Sequence, residues 1–140
     1  MKKVAIYCRV STTEQNVEMQ LTQLRPFAQQ RGYEIYKEYI DNGQSGAKES
    51  RPALDDLMNA ARKRQFDIVL CYRFDRFARS AKFLALTLSE FQELGIDFMS
   101  YSENIDTSST MGKAMFTIIS AMAELQRNII RERVKAGILS

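Results

Sequence analysis

Two short segments concentrate the residues able to do chemistry. YCRVS (residues 7–11) carries Tyr7, Arg9 and Ser11 at spacings of two, and RFDRFARS (residues 73–80) carries Arg73, Asp75, Arg76 and Arg79. Along an extended strand side chains alternate faces, so Ala5, Tyr7, Arg9 and Ser11 point one way and Val4, Ile6, Cys8 and Val10 the other. Arg76 and Arg79 are three apart, and on a helical turn they share a face. Arg51 adds a further guanidinium after the stretch DNGQSG. Several guanidiniums converging on a hydroxyl suit a phosphate oxyanion, because the planar fork donates in pairs and stays charged. They would also ease ionisation of Ser11 and stabilise charge developing at phosphorus. Asp75 fits as their counter-ion or as a proton donor, and Tyr7 as a wall of the site. The plainer reading of the arginines and Asp75 is a surface ion-pair network. The sequence contains no histidine, which excludes a Ser-His-Asp triad and zinc sites built on histidine.

These residues need elements that bring them together. Residues 2–10 read as a strand. Val17, Leu21, Leu24 and Phe27/Ala28 have helical spacing, with Gly32 as the stop and Pro26 as a kink or solvated bend. Residues 33–40 form a second strand, and 41–50 a loop without a large apolar residue. RPALDDLMNAARKRQ opens a helix with proline in its first turn. FDIVLCY is a short apolar run, as in a parallel strand covered on both faces. A helix over about 81–94 ends at Gly95; residues 96–101 are a strand and 102–110 a loop. A long helix is expected from Met111 to Ile138, roughly 42 Å at 1.5 Å per residue. Strands alternating with helices predict an α/β fold with a mainly parallel sheet and helices on both faces. In such sheets ligands bind beyond the carboxyl ends of the strands. Ser11, Asp41 and the 73–79 arginines follow three such ends.

With 140 residues, one domain is expected, with residues 1–110 as the α/β core and 111–138 as the long helix. No apolar run reaches the roughly 18 residues of a membrane span, and MKKVAIYCRV meets Arg9 too soon for a signal peptide. A cytoplasmic protein without a membrane partner is expected. Cys8 and Cys71 both sit in apolar runs and read as buried thiols. The first 126 residues balance at sixteen basic and sixteen acidic side chains, whereas residues 127–140 carry four basic and one acidic. The basic end, with Arg127, Arg131, Arg133 and Lys135, is either a nucleic-acid footprint or a solvated helix face. Along the long helix, Met111, Met115, Ile118, Met122, Leu125 and Ile129 recur at spacings of four and three, a heptad-like stripe. Phe116, Ile119, Ala123, Ile130 and Val134 form a second stripe. One stripe satisfies the helix's own domain, and two imply a partner.

YCRVSTTEQ, DNGQSG followed by RP, RFDRFARS and MAELQRNIIRERV together resemble the catalytic domain of serine site-specific recombinases, the resolvase/invertase group. The resemblance covers nearly the whole chain. It implies that Ser11 attacks a DNA phosphodiester to give a 5′-phosphoserine and a free 3′ hydroxyl. Strands are then exchanged by rotation of subunits in a synaptic tetramer and resealed. By matching motif, Arg9, Arg76 and Arg79 would hold the scissile phosphate and Asp75 would serve the leaving 3′ oxygen. Tyr7, Gln20, Asp41, Arg51 and Arg127 would support them, and Arg131, Arg133 and Lys135 would meet the DNA. The resemblance implies double-stranded DNA as partner, a homodimer that becomes a tetramer through the long helix, and no metal or other cofactor. Where many relatives have Glu-Arg on that helix, this chain has Gln126-Arg127. Phe74 and Phe77 stand in place of leucines, a packing change. The chain stops where the family's DNA-recognition domain is expected to begin. Two other readings remain: a metal-dependent nuclease with Asp41, Asp75 and Asp106 around Mg²⁺, and a non-catalytic α/β dimerisation module. The expected loop over 42–50, with Gly43 and Gly46 and no apolar anchor, would be mobile without DNA and would draw Arg51 towards the phosphate on binding.

Overall fold

Strand β1 (Lys3–Val10) is apolar on both faces because both faces are covered. Val4, Ile6 and Cys8 pack with Leu21, Leu24 and Ala28 of helix α1 (Val17–Gln30), while Ala5 and Tyr7 join the cluster on the other side. That second cluster contains Leu54, Leu57, Met58 and Ala61 of α2 (Pro52–Arg62), and Leu84, Leu88 and Phe91 of α3 (Ala81–Leu94). The computed structural model describes residues 1–10, 17–42, 51–73, 77, 81–103, 105–115, 117, 118, 121, 125 and 129, with Val10 and Ala81 as backbone only.

The sheet is completed by β2 (Glu34–Asn42), β3 (Ile68–Cys71), β4 (Asp97–Ser100) and β5 (Ile105–Asp106), in the order β2-β1-β3-β4-β5. The first four strands are parallel and β5 is antiparallel to β4. This is the α/β architecture expected, with helices on both faces. The chain moves from β1 to β2 on one side and then crosses to β3 on the other, so the sheet has a switch point between β1 and β3. Ligands of open α/β sheets bind in the crevice at such a point, beyond the carboxyl ends of the strands.

Helix ends follow the local chemistry. After α1 and after α3, Gly32 (φ 77°) and Gly95 (φ 75°) take left-handed backbone. Their neighbours close the ends, with Tyr33 N donating to Ala28 O at 3.0 Å and Ile96 N to Phe91 O at 2.8 Å, a glycine-terminated helix end. Helix α2 ends in the same way, with Gln65 N donating to Ala60 O, but the left-handed position is filled by Arg64 (φ 55°). Pro26 lies inside α1 on its exposed side, so the helix carries it without a break.

Three expectations need correction. β2 runs on to Asn42, so Asp41 and Asn42 are strand residues paired with Arg9 and Val10, and not part of a loop. β3 is shorter than its apolar run, because Phe66 packs into the core before the strand begins. Residues 105 and 106, expected in a loop, form the edge strand β5. Two residues carry no periodicity, and what recruits them is the open side of β4. Thr107 extends the pairing, its N donating to Phe98 O at 2.9 Å and its Oγ accepting from Phe98 N at 2.8 Å.

The described positions from 110 to 129 are helical. Ser109 caps this helix: its Oγ accepts from Gly112 N at 2.9 Å and donates to Asp106 O at 2.7 Å. Gly112 is buried against the β5 turn, and a Cβ there would stand 1.7 Å from Asp106 O. Only glycine lets the helix start this close to that backbone. No described helix is long and apolar enough to cross a membrane.

Candidate active site

The described part of the site is built around Tyr7 and Asp41. Both are buried, at 0% and 3% exposure, and Tyr7 Oη donates to Asp41 Oδ2 at 2.8 Å. The same carboxylate accepts Leu54 N at 3.0 Å through Oδ2 and Ala53 N at 2.9 Å through Oδ1. These are the second and third residues of α2, whose N-terminal N–H groups have no partner within the helix. Arg51, at the N-cap position, makes no capping bond with its own side chain. Asp41 therefore caps α2 from a neighbouring strand, where the helix dipole also favours a negative charge. Burial, and then the adjacent Asp41 carboxylate, hold the Tyr7 hydroxyl well above its usual pKa against the opposing pull of Arg51 and Arg9. Tyr7 is thus a neutral donor to Asp41 whose ring packs in the core cluster.

Arg9 pairs with Asp41 across the β1–β2 register, one residue short of the strand's end. Its carbonyl accepts from Gln20 Nε2 at 3.3 Å, which ties the first turns of α1 to the end of β1. Gln20 is itself buried, and its Oε1 has no hydrogen-bond partner among the described residues. Arg51 is buried too, at 8% exposure, and Nη1 donates to Phe77 O at 2.6 Å. Arg51 was expected to be drawn towards the phosphate on DNA binding; without DNA its guanidinium is buried against the carbonyl of Phe77. Phe77 is fully buried among Tyr7, Phe83, Phe91 and Phe98, with ring centroids 5.7, 6.4, 6.2 and 4.9 Å away.

The structure thus brings Tyr7, Arg9, Gln20, Asp41 and Arg51 to one end of the sheet. Ser11, Asp75, Arg76, Arg79, Arg127, Arg131, Arg133 and Lys135 lie outside the described residues, as does the stretch 43–50. In the chain, Ser11 directly follows β1 and the arginine motif follows β3, on the two sides of the switch point. Sequence reasoning treated Phe77 as packing alone. Its backbone role had no sequence signal, because its partner is 26 residues away.

A cation held jointly by Asp41 and Asp106 is excluded by the strand order. Asp41 is on β2 and Asp106 on β5, at opposite edges, about 19 Å apart at roughly 4.8 Å per strand. Asp106 instead meets Arg31 at 3.6 Å and Ser108 Oγ at 2.6 Å. Cys8 and Cys71 are buried in the two different clusters, on opposite faces of the sheet. They cannot bridge each other, and burial pushes the Cys8 thiol up to about 12.

A mainly parallel sheet of this order, with a switch point between β1 and β3, defines an open α/β domain. Comparison with known proteins makes the class specific. Residues 4–140 match the family model described as "Resolvase, N terminal domain". The chain is 38% identical over 133 residues to the transposon Tn917 resolvase of Enterococcus faecalis, covering 94% of this chain and 67% of that one. It is 37% identical over 132 residues to the DNA-invertase hin of Salmonella typhimurium, covering 94% and 65%. Among solved structures, a resolvase family site-specific recombinase from Streptococcus pneumoniae superposes with a TM-score of 0.84 at 34% identity, covering 98% of this chain and 95% of that one. The N-terminal catalytic domain of TP901-1 integrase superposes with a TM-score of 0.80 at 43% identity, covering 91% and 98%. The chain belongs to the resolvase N-terminal domain family, that of the serine recombinases. It spans about two thirds of the length of the resolvase and invertase relatives.

Proposed function

We propose that this chain cuts and rejoins DNA strands in site-specific recombination, with Ser11 as nucleophile. Ser11 Oγ bonds to the scissile phosphorus and the P–O3′ bond breaks. The products are a 5′-phosphoserine and a 3′ hydroxyl. Arg9, Arg76 and Arg79 hold the phosphate and stabilise the charge that develops on it. Asp75 delivers a proton to the leaving 3′ oxygen. Resealing reverses the step: a 3′ hydroxyl attacks the phosphoserine and Ser11 is released. The phosphoserine keeps the bond energy, so the chemistry calls for no metal or nucleotide. Strand exchange takes place in a tetramer formed from two dimers through the long helix. Arg127, Arg131, Arg133 and Lys135 contact the DNA backbone.

The observation that best supports this reading is the sheet order. It sets the ends of β1 and β3 side by side, and the serine and the arginine motif follow those two ends in the chain. The test is an adduct. The full-length protein is incubated with its DNA site, and any protein–DNA product is mapped by mass spectrometry. The expected result is phosphoserine at residue 11, formed equally well with a chelator present and lost in a folded Ser11→Ala variant. An adduct on another side chain would sink the assignment.

A further inference from the structure

We infer that Arg51 is a positioning residue: from inside the protein it latches the backbone of the arginine segment that the proposed reaction uses. The inference rests on the cleavage reading above and adds a distinct role to it. Arg51 is almost fully buried, and Nη1 donates to the carbonyl of Phe77. A buried guanidinium is costly unless it is hydrogen-bonded. This one meets the main chain of a residue that stands in the sequence between Arg76 and Arg79.

Phe77 is held from both sides. Its ring is locked in the aromatic cluster of Tyr7, Phe83, Phe91 and Phe98, and its carbonyl is taken by Arg51. Fixing the backbone at 77 fixes the point from which the flanking arginine side chains start. Arg51 is in turn the N-cap residue of α2, whose N-terminus Asp41 grips through Ala53 N and Leu54 N. Asp41 also takes the hydroxyl of Tyr7, on the strand that carries Arg9. A continuous buried polar chain therefore runs from β1 through Tyr7, Asp41, the start of α2 and Arg51 to Phe77. It ties together the two strand-end segments on which the proposed reaction depends. A misplacement of about 1 Å between such groups costs on the order of 10²-fold in rate.

The experiment compares Arg51→Met and Arg51→Lys with wild type in the full-length protein. Amide exchange of residues 74–80 is measured without DNA. DNA affinity and single-turnover formation of the covalent adduct are measured separately. In Arg51→Met the latch loses a charged hydrogen bond, so exchange should rise about tenfold or more, and adduct formation should fall about 100-fold with DNA affinity nearly unchanged. Arg51→Lys keeps a donor for one carbonyl and should restore both exchange protection and most of the cleavage. By contrast, lysine at the phosphate-holding Arg76 or Arg79 should remain severely impaired, because an ammonium cannot donate as a fork. Unchanged exchange in Arg51→Met would overturn the latch, as would an equal loss of cleavage in Arg51→Lys and Arg51→Met. If Arg51→Met fails to fold, Arg51→Lys decides alone: lost protection or severely slowed cleavage would overturn the proposal. If wild type forms no phosphoserine, the cleavage reading fails, while exchange in the DNA-free protein still decides the latch.

Discussion

Tyr7 shows how a polar group is kept inside the core of this protein. Its ring packs edge-on against Phe77 while its hydroxyl serves the Asp41 carboxylate. Tyr7→Phe keeps the ring and leaves a buried carboxylate oxygen short of one donor. That should lower stability by about 1–3 kcal/mol, seen as a lower urea midpoint with an unchanged m-value. An unchanged midpoint would show that this hydrogen bond contributes nothing net. Cys8 makes a pH prediction. Its thiol is raised from 9.0 to about 12 by burial, with Glu38 and Glu18 adding to the rise and Arg25 opposing it. Above pH 9 the unfolded chain loses this proton and the folded chain keeps it. Stability is therefore fully present below pH 9 and falls by about 1.4 kcal/mol per pH unit up to the folded value. Buried Tyr7, also raised, steepens the fall at higher pH. Cys8→Val should flatten the slope between pH 9 and 10; denaturation curves across that range check it.

The elements differ in how well their ends suit their sequences. Three helices close with a left-handed residue, and two of them use glycine there. Arg64 does the same work after α2 with a Cβ in the way, a conformation that costs an L-residue roughly 1–2 kcal/mol. Glycine would relieve that strain, offset in part by its greater freedom when unfolded. Arg64→Gly should therefore raise stability by about 0.5–1 kcal/mol, read from thermal or urea unfolding. Gly32→Ala and Gly95→Ala should move the other way. Both have open space around the absent Cβ, so any loss there reports backbone conformation and not crowding. A loss of stability in Arg64→Gly would mean that the arginine's own contacts outweigh its strain.

At the scale of the whole molecule, four of the described stripe positions after residue 110 are exposed, and Met115 is half-buried. Met111, Ile118, Leu125 and Ile129 are 74%, 52%, 58% and 41% exposed. Large apolar side chains repeating along one helix mark an association surface more readily than scattered single residues do. We expect Leu125→Asp to leave the unfolding midpoint of the isolated chain unchanged, because the residue is exposed within it. The same substitution should weaken self-association, since a partner would bury the charge unpaired. Sedimentation at several concentrations checks this; identical species distributions for wild type and variant would move the interface elsewhere.

Much of this protein was legible in one dimension. The alternation of β1, proline opening α2, glycine closing α1 and α3, and the buried run of β3 all arise from contacts within a few residues. Local sequence therefore announces them. The motifs carrying the family resemblance were legible for the same reason, as short runs with fixed spacing. Other features arise from contacts distant along the chain. Strand order alone separates Asp41 from Asp106 and removes a shared metal site. β5 exists because β4 has an open side, not because Ile105 and Asp106 favour a strand. Asp41 caps a helix it does not belong to, and Arg51 meets a carbonyl 26 residues away. Periodicity tells which way a side chain points from its own element. Only the packing of elements against one another determines what it meets there, since those partners are set by sheet order and helix crossing and not by neighbours in the chain.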